Sequence, residues 1–251
     1  GGSAIYFAPG LAANLLINRS TFAGNVGSSG PGAIFVSGAG VVMNIVNSTF
    51  SNNSATNTAS PDAIGVYSSA SLFVRFSTFS GHDNSTAAST TGVLHAASSS
   101  QITMQGSVIA NNIRTGGGSA RECTASSASF VGTSNYTADT VCPGRVATPI
   151  FVSTTLANNG GPTQTHLPAP YSNIVNADSG NLCAPANLNL LLDQRGEPRP
   201  VGPACDLGAV EIDACGPITS PYILPDNAPA TLNAAIDCAN STVSTTDLID
   251  L

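Results

Sequence analysis

The chain contains no lysine and has few charged residues of any kind. Of its 251 residues only 8% are charged, and seven basic residues, all of them arginine, stand against 14 acidic ones, which gives a net charge of −7. Seven scattered arginines form no basic stripe of the kind that contacts nucleic acid, and an acidic chain is not attracted to an anionic membrane surface. The composition therefore excludes a nucleic-acid partner and electrostatic docking on a membrane.

Long apolar runs are also missing. No stretch approaches the roughly 18 consecutive apolar residues of a membrane-spanning helix, so we expect no membrane insertion. No signal peptide opens the chain, which begins at Gly1 inside a repeat. We expect its natural start to have been removed by processing or to lie outside this sequence. An apolar period typical of helices is sustained nowhere in residues 1–112, which argues against helical repeats.

The six cysteines show no Cys-x-x-Cys spacing, and none lies in the repeats described below. Such spacing is poor for zinc or iron–sulfur clusters, so we expect no metal and no cofactor. Six cysteines allow fifteen pairings, of which the simplest is sequential, each bond closing a short loop. We therefore predict an exported protein with disulfides, against the alternative of reduced cytosolic thiols. The predicted pairs are Cys123–Cys142, Cys183–Cys205 and Cys215–Cys238.

What the sequence does contain is a repeat. Four stretches have nearly the same sequence. In each, one apolar residue, which we call the anchor, directly follows Ser-Thr or Ser-Val. The anchors are separated by 28, 29 and 30 residues. A fixed period in this range indicates stacked supersecondary units, none of which can bury its apolar face alone. The anchors are Phe22, Phe50, Phe79 and Ile109.

Each repeat holds two further apolar elements. One is a short apolar run led by Gly or Asp, and the other is a pair of apolar residues at i and i+2, such as Met43 and Ile45. That spacing places two side chains on one face of a strand. The prediction is an all-β, right-handed parallel β-helix with three strands per coil, about 29 residues per repeat and the four anchors in one internal ladder. A propeller blade, which needs about 40 residues, is the weaker alternative.

Asparagine recurs at one turn of the repeat, as Asn25, Asn53 and Asn112. Equivalent amides on successive coils can hydrogen-bond one another, so we predict an amide ladder at this turn. His82 occupies the third position of the series, and we expect it to interrupt the ladder.

Two longer motifs follow the repeats. Residues 158–167 read Asn-Asn-Gly-Gly-Pro-Thr-Gln-Thr-His-Leu, and residues 193–200 read Asp-Gln-Arg-Gly-Glu-Pro-Arg-Pro before Cys-Asp-Leu-Gly-Ala-Val-Glu at 205–211. Together with the coils, these motifs resemble the bacterial choice-of-anchor Q domain proteins over about residues 1–212. The resemblance implies an exported right-handed β-helix of the pectate-lyase-like and polymorphic outer-membrane-protein superfamily at the cell surface, and it implies no reaction.

Charged residues in these motifs have a structural interpretation. We expect two arginines to pair with neighbouring acidic residues and fasten the last coils, which we favour over a ligand site. They are Arg195 and Arg199, with Asp193, Glu197 and Asp206 as the candidate partners.

The domain organisation follows from these patterns. Regular coils occupy residues 1–112, and loop-rich coils with disulfides occupy residues 113–212, which completes a β-helix over 1–212. Residues 213–251 differ, because apolar residues at helical spacing follow Thr231, a suitable N-cap, before a short strand pattern at 246–251. In proteins of the family that the chain resembles, a short helix followed by Asp-x-Ile-x-Leu usually opens the β-helix.

An uncapped solenoid end exposes apolar core and unpaired strand edges. We therefore predict that the C-terminal segment of one subunit caps the N-terminal coil of the next, forming an extracellular or cell-surface structural filament. The alternatives are a monomeric surface adhesin domain cut from a tandem protein, and local folding back of the segment. The predicted subunit contacts, in which Leu248 and Leu251 lie against Ile5, are Gly2, Ile5, Leu232, Ile236, Leu248, Ile249 and Leu251.

A polysaccharide lyase or hydrolase is a second alternative, because many β-helices act on polysaccharides. That chemistry needs clustered acids, or Ca²⁺ with a basic residue, on one face of the coils. The only carboxylates in the regular coils are Asp62 and Asp83, at different turns, so we predict no catalytic residue. An ice-binding surface is disfavoured, because Thr21, Thr49 and Thr78 supply only one threonine per coil. A surface glycan or host molecule stays open as a ligand.

Overall fold

The structure is a computed structural model that describes residues 2–83, 90–115, 121–137, 139–146, 152–170, 172–178, 180, 182–183, 190–213, 222–223 and 249–250. The described residues form twenty short strands, β1 to β20 in chain order, and no α-helix. No helix that could cross a membrane is found in this part of the chain. The predicted all-β fold is confirmed.

Three sheets run along the molecule, and each takes one strand from every coil. Sheet 1 consists of β1 Ile5–Phe7, β5 Ile34–Ser37, β9 Ile64–Tyr67, β12 Leu94–Ala97 and β15 Cys123–Ser126. Sheet 2 consists of β2 Ala13–Asn18, β6 Val41–Val46, β10 Ser71–Arg75, β13 Gln101–Gln105 and β16 Ser129–Thr133. Sheet 3 consists of β3 Thr21–Ala23, β7 Thr49–Ser51, β11 Thr78–Ser80, β14 Val108–Ala110, β17 Tyr136–Thr137 and β18 Arg145–Val146. Two small pairs complete the set, β4 Val26–Gly27 with β8 Ser54–Ala55, and β19 Tyr222–Ile223 with β20 Ile249–Asp250.

The register shows how the coils stack. Equivalent residues of sheet 1 pair in parallel, and the series runs through Ile5, Ile34, Ile64, Leu94 and Cys123. Successive members lie 29 or 30 residues apart, so β1 and β15 are separated by four turns. The predicted parallel β-solenoid with about 29 residues per turn is therefore confirmed, and the propeller alternative is excluded.

The corner between sheets 2 and 3 is built in the same way in every coil. Two residues separate the two strands each time, and the first of them has a positive φ between 42° and 62°. This left-handed conformation turns the chain sharply and suits glycine and asparagine best. The corner residues are Arg19, Asn47, Phe76, Gly106 and Ser134.

The interior is a set of apolar columns parallel to the solenoid axis. Phe22, Phe50, Phe79 and Ile109 occupy equivalent positions on β3, β7, β11 and β14. The phenyl rings stack with centroids 4.9 and 4.6 Å apart and nearly parallel planes. Phe50, Phe79 and Ile109 are fully buried, whereas Phe22 in the first coil is partly exposed.

The far end of the solenoid carries its own cap. Cys142 is disulfide-bonded to Cys123 and belongs to the apolar core. The carboxylate of Asp139 holds the capping loop, because it accepts hydrogen bonds from the backbone N–H groups of Glu122 and Cys123 on one oxygen and of Val141 and Cys142 on the other. This loop therefore packs against the core at β15.

Residues 152–213 depart from the expected coils. Their only strand-like contacts within the described residues are three isolated antiparallel bridges. Instead of adding coils, residues 158–167 and 193–211 cross the outer face of sheet 3, and we call these two segments the clamp. Gln194 bonds Thr49 Oγ1 (2.6 Å) and Thr21 Oγ1 (2.8 Å), and the backbone N–H of Ala209 donates to Thr78 Oγ1. The two clamp segments lack the alternating apolar pattern of a strand. Their polar groups instead bind the threonines of the first three coils.

Buried charges hold the clamp together. Arg195 pairs with Asp193 at 2.8 Å, and Arg199 pairs with Glu211 at 2.7 Å with both side chains fully buried. The pairing of Arg195 with Asp193 was expected, whereas Arg199 pairs with Glu211, which was not among the expected partners. The clamp that these pairs stabilise contacts more of the solenoid than its last coils. Arg19 of the first coil donates to the carbonyl of Gln194, and the clamp also reaches Gly106 in the fourth coil.

Two of the three predicted disulfides are present, Cys123–Cys142 and Cys183–Cys205, and no described cysteine is free. The third predicted pair, Cys215–Cys238, lies outside the described residues and stays a prediction, as does the C-terminal helix. The predicted strand at 246–251 is represented by β20, which pairs with β19 of the same chain.

Replacement of Phe50 by alanine tests the internal ladder. Because Phe50 is fully buried between Phe22 and Phe79, Phe50→Ala should lower the free energy of unfolding by about 3–5 kcal/mol. Urea denaturation with the disulfides intact measures the change. Leu11→Ala is the control, since Leu11 is 79% exposed and should lose less than about 1 kcal/mol. Equal losses in the two variants would contradict the ladder.

Candidate functional site

A buried polar ladder runs beside the apolar columns. Asn25 donates from its backbone N–H and from Nδ2 to Asn53 Oδ1, at 3.0 and 2.8 Å. Two coils further on, His82 donates from its backbone N–H and from Nδ1 to Asn112 Oδ1, at 2.9 and 3.0 Å. Asn112 Nδ2 then donates to Glu122 Oε2 at 2.7 Å. The predicted asparagine ladder is therefore present and ends on a carboxylate.

The expectation that His82 interrupts this ladder is wrong. Its Nδ1 acts as the donor that an amide nitrogen would supply, and its Nε2 lies 3.3 Å from Asn53 Nδ2 and accepts from it. These roles assign the neutral Nδ1–H tautomer. Burial lowers the pKa of His82 to about 4, which keeps the ring neutral. A histidine thus replaces an asparagine because both side chains offer one donor and one acceptor in this geometry.

Two carboxylic acids lie inside the solenoid near this ladder. Asp62 is 3% exposed and Glu122 is 1% exposed. Burial is the main cause that raises the pKa of each to about 7. The Asp83 carboxylate adds to the rise at Asp62, and the Asp139 and Asp62 carboxylates add to the rise at Glu122. Asp62 Oδ1 accepts from the backbone N–H of Ala55. Neither acid is open to an external polymer, so this pair does not form the exposed acid pair that polysaccharide cleavage requires.

The outer face of sheet 1 carries a column of rings. Tyr6 stacks on Phe35 at 4.6 Å between centroids, Phe35 on Tyr67 at 5.1 Å, and Tyr67 lies 5.9 Å from His95. Tyr67 fills the place above Gly65, where an added Cβ would lie 2.6 Å from its ring. Sequence reasoning missed this column, although Tyr6, Phe35 and His95 each follow the aligned apolar residue that begins their strand.

The first coil is the other notable surface. Within the described residues, β1, β2 and β3 have hydrogen-bonded neighbours on one side only. Ile5, Phe7 and Leu15 pack against the core but are only partly buried, whereas Ile34 and Met43, one coil further in, are completely buried. The outer edge of this coil therefore presents core side chains together with three rows of backbone donors and acceptors.

The predicted subunit contacts fall into two groups. Gly2 is exposed and Ile5 is partly buried, both at the first coil. Ile249 lies in β20. The remaining predicted contacts, which are Leu232, Ile236, Leu248 and Leu251, lie outside the described residues.

The threonine series disfavoured as an ice-binding surface is occupied by the clamp. Thr21 Oγ1 donates to the carbonyl of Gln164, Thr49 Oγ1 donates to Gln194 Oε1, and Thr78 Oγ1 accepts from Ala209. Their hydroxyl groups are therefore engaged within the protein and are not presented to ice.

Comparison with known proteins adds no relative: no family model, no curated protein and no solved structure matches this chain.

Substitutions of His82 test its place in the ladder. His82→Asn keeps one donor and one acceptor, whereas His82→Leu leaves Asn53 Nδ2 and Asn112 Oδ1 without this partner. We expect His82→Leu to lose at least about 2 kcal/mol more unfolding free energy than His82→Asn, because unsatisfied buried polar groups are costly. Chemical denaturation at pH 7.5 measures both. If the leucine variant is as stable as the asparagine variant, the ring has no hydrogen-bonding role.

The pKa of Asp62 predicts a specific pH dependence. Because the folded-state value is raised from 3.8 to about 7, the stabilising contribution of the protonated acid is fully present below pH 3.8 and is lost as the pH rises through about 7. Asp62→Asn stays neutral, so its stability relative to the native protein should increase between pH 4.5 and pH 8, by at most about 4 kcal/mol.

Urea denaturation of the two proteins at each pH gives the difference, in which the contributions of groups that do not interact with Asp62 cancel. Glu197→Gln is the control, because Glu197 is exposed and its replacement removes the same charge from the surface. A difference between Asp62→Asn and the native protein that stays constant from pH 4.5 to pH 8 would contradict the raised pKa.

Proposed function

We propose that this protein is an extracellular or cell-surface structural β-solenoid that assembles head to tail into a filament. In the assembly, the C-terminal segment 213–251 of one copy caps the first coil of the next. The observation that carries the proposal is the outer edge of the first coil, where β1, β2 and β3 offer unpaired backbone groups beside the partly exposed core side chains of Ile5 and Phe7.

The two ends of the solenoid differ, which gives the assembly a direction. The far end is closed by the loop that holds Cys142 against Cys123 and the core. In the proposed filament this loop lies at the junction, and the C-terminal segment links one copy to the next. A contact between two different surfaces repeats without closing, which produces a filament rather than a closed dimer.

The C-terminal strands support the choice of that segment. Tyr222 pairs in parallel with Ile249, 27 residues further on, which is close to one coil of the solenoid. Within the described residues, β20 pairs only with β19 and has a second edge available for β1 of another copy. That arrangement would continue sheet 1 across the junction by β-augmentation.

Side-chain alternation refines the predicted contacts. On an extended strand, residues two apart share a face, so Ile249 and Leu251 would lie on the same side. Ile5 and Phe7 also share the core-facing side of β1. We therefore propose that Ile249 and Leu251 lie against Ile5 and Phe7, rather than Leu248 and Leu251 together, because residues three apart on an extended strand would lie on opposite faces.

The remaining features agree with an exported structural role. Two disulfides are compatible with an extracellular location, where such bonds persist. The repeated geometry of the coils serves their packing, and the clamp residues Gln194 and Ala209 bind the threonines of the solenoid. We propose a structural protein without enzymatic activity on this basis, and the resemblance to choice-of-anchor Q domain proteins points to no particular reaction.

The experiment uses two variants that each damage one end. Ile5→Glu places a carboxylate at the first coil, and Ile249→Glu places one at the donor strand. Light scattering and negative-stain electron microscopy should show filaments for the native protein and monomers for each variant alone. The buried, unpaired charge should weaken the contact more than about a hundredfold.

A mixture of the two variants is decisive, because one retains an intact donor strand and the other an intact first coil. We expect the mixture to form heterodimers that do not grow further. Leu11→Glu, at an exposed position of the first coil, is the matched control and should still form filaments. A native protein that stays monomeric at every concentration would overturn the proposal in favour of a monomeric surface domain.

A further inference from the structure

A cavity of about 770 Å³ lies at the end of sheet 1, against β12 and β15. Its polar lining includes Thr90, His95, Arg121, Thr124 and Asp139. This volume falls within the range of small-molecule sites in proteins. The cavity lies beyond the column of rings on the outer face, far along the sheet from the first coil, so it is separate from the proposed assembly contact.

Arg121 is the arginine in this cavity, and it differs from the other arginines whose side chains the structure describes. Each of those donates to a carbonyl, an amide oxygen or a carboxylate of the protein, whereas no such partner is found for Arg121 in the described part of the chain. The nearby Asp139 carboxylate is occupied by four backbone N–H groups. The guanidinium group is therefore available to an anionic ligand.

His95 and Thr124 both line the cavity and are hydrogen-bonded to each other. His95 Nδ1 lies 2.8 Å from Thr124 Oγ1, and that oxygen also accepts from the backbone N–H of Gly92. These contacts fix the orientation of the ring. Its Nε2 has no hydrogen-bond partner in the described part of the chain, and His95 is one of the residues that line the cavity. A fixed ring nitrogen beside threonine hydroxyl groups suits the hydroxyl groups of a sugar.

The charge of the whole protein narrows the class of ligand. A net charge of −7 repels densely charged polyanions. A single guanidinium fork matches one carboxylate with two parallel hydrogen bonds. We propose that this cavity binds a saccharide unit that carries one carboxylate, with Arg121 on the carboxylate and with His95 and Thr124 on the sugar hydroxyl groups.

Titration calorimetry and ligand-observed NMR with glucuronic acid test the proposal on the full chain. Glucose, the methyl ester of glucuronic acid and acetate are the comparison ligands. We expect glucuronic acid to bind at least about tenfold more tightly than any of the three, because each of them lacks either the carboxylate or the hydroxyl groups.

Two variants test whether Arg121 contacts the carboxylate of the ligand. Arg121→Gln should remove the preference for glucuronic acid over its ester, with about a tenfold loss of affinity for the acid. Arg75→Gln, which changes an arginine already bonded to Gln105, is the matched control and should bind as the native protein does. Acetate binding as tightly as glucuronic acid, or unchanged binding in Arg121→Gln, would overturn the proposal, as would no detectable binding of glucuronic acid to the native protein.

Discussion

Parallel hydrogen bonding between equivalent residues, one coil apart, is the constraint on which this structure depends. It places each side chain directly above its counterpart, so one position in the repeat becomes one column in the molecule. Apolar positions become the stacked column of Phe22, Phe50 and Phe79, and amide positions become the ladder through Asn53. A polar group inside the solenoid can therefore be satisfied by the next coil rather than by water.

The same constraint explains why much of the fold could be predicted from the sequence. The i, i+2 apolar pairs indicate strands. The period of the anchors gives the coil length and the internal ladder. The exchange at His82 could not be predicted, because chemical equivalence between imidazole and amide depends on which atoms face the neighbouring coils. An asparagine pattern alone does not contain that geometry.

The position of the clamp could not be predicted from local sequence patterns either, for a different reason. Gln194 contacts Thr49 and Ser20, which are 145 and 174 residues away along the chain. No periodicity encodes such contacts. The two clamp motifs gave a family resemblance and the pairing of Arg195 with Asp193, but not their position on sheet 3. The candidate sites were predicted to different extents. The donor strand and first coil came from apolar patterns, whereas the cavity beside His95 depends on side chains of separate coils and a disulfide loop that meet only in three dimensions.

A solenoid held only by neighbouring coils can peel open from either end, since each coil is stabilised by the next alone. The clamp changes this behaviour. It is bonded to Arg19 in the first coil and to Gly106 in the fourth, while its own arginines are paired inside it. Loss of the first coil must therefore also disturb a segment that holds the middle of the solenoid. A chain built from a one-dimensional repeat thereby acquires the cooperativity of a globular domain, in which the terminal coils and the centre open together.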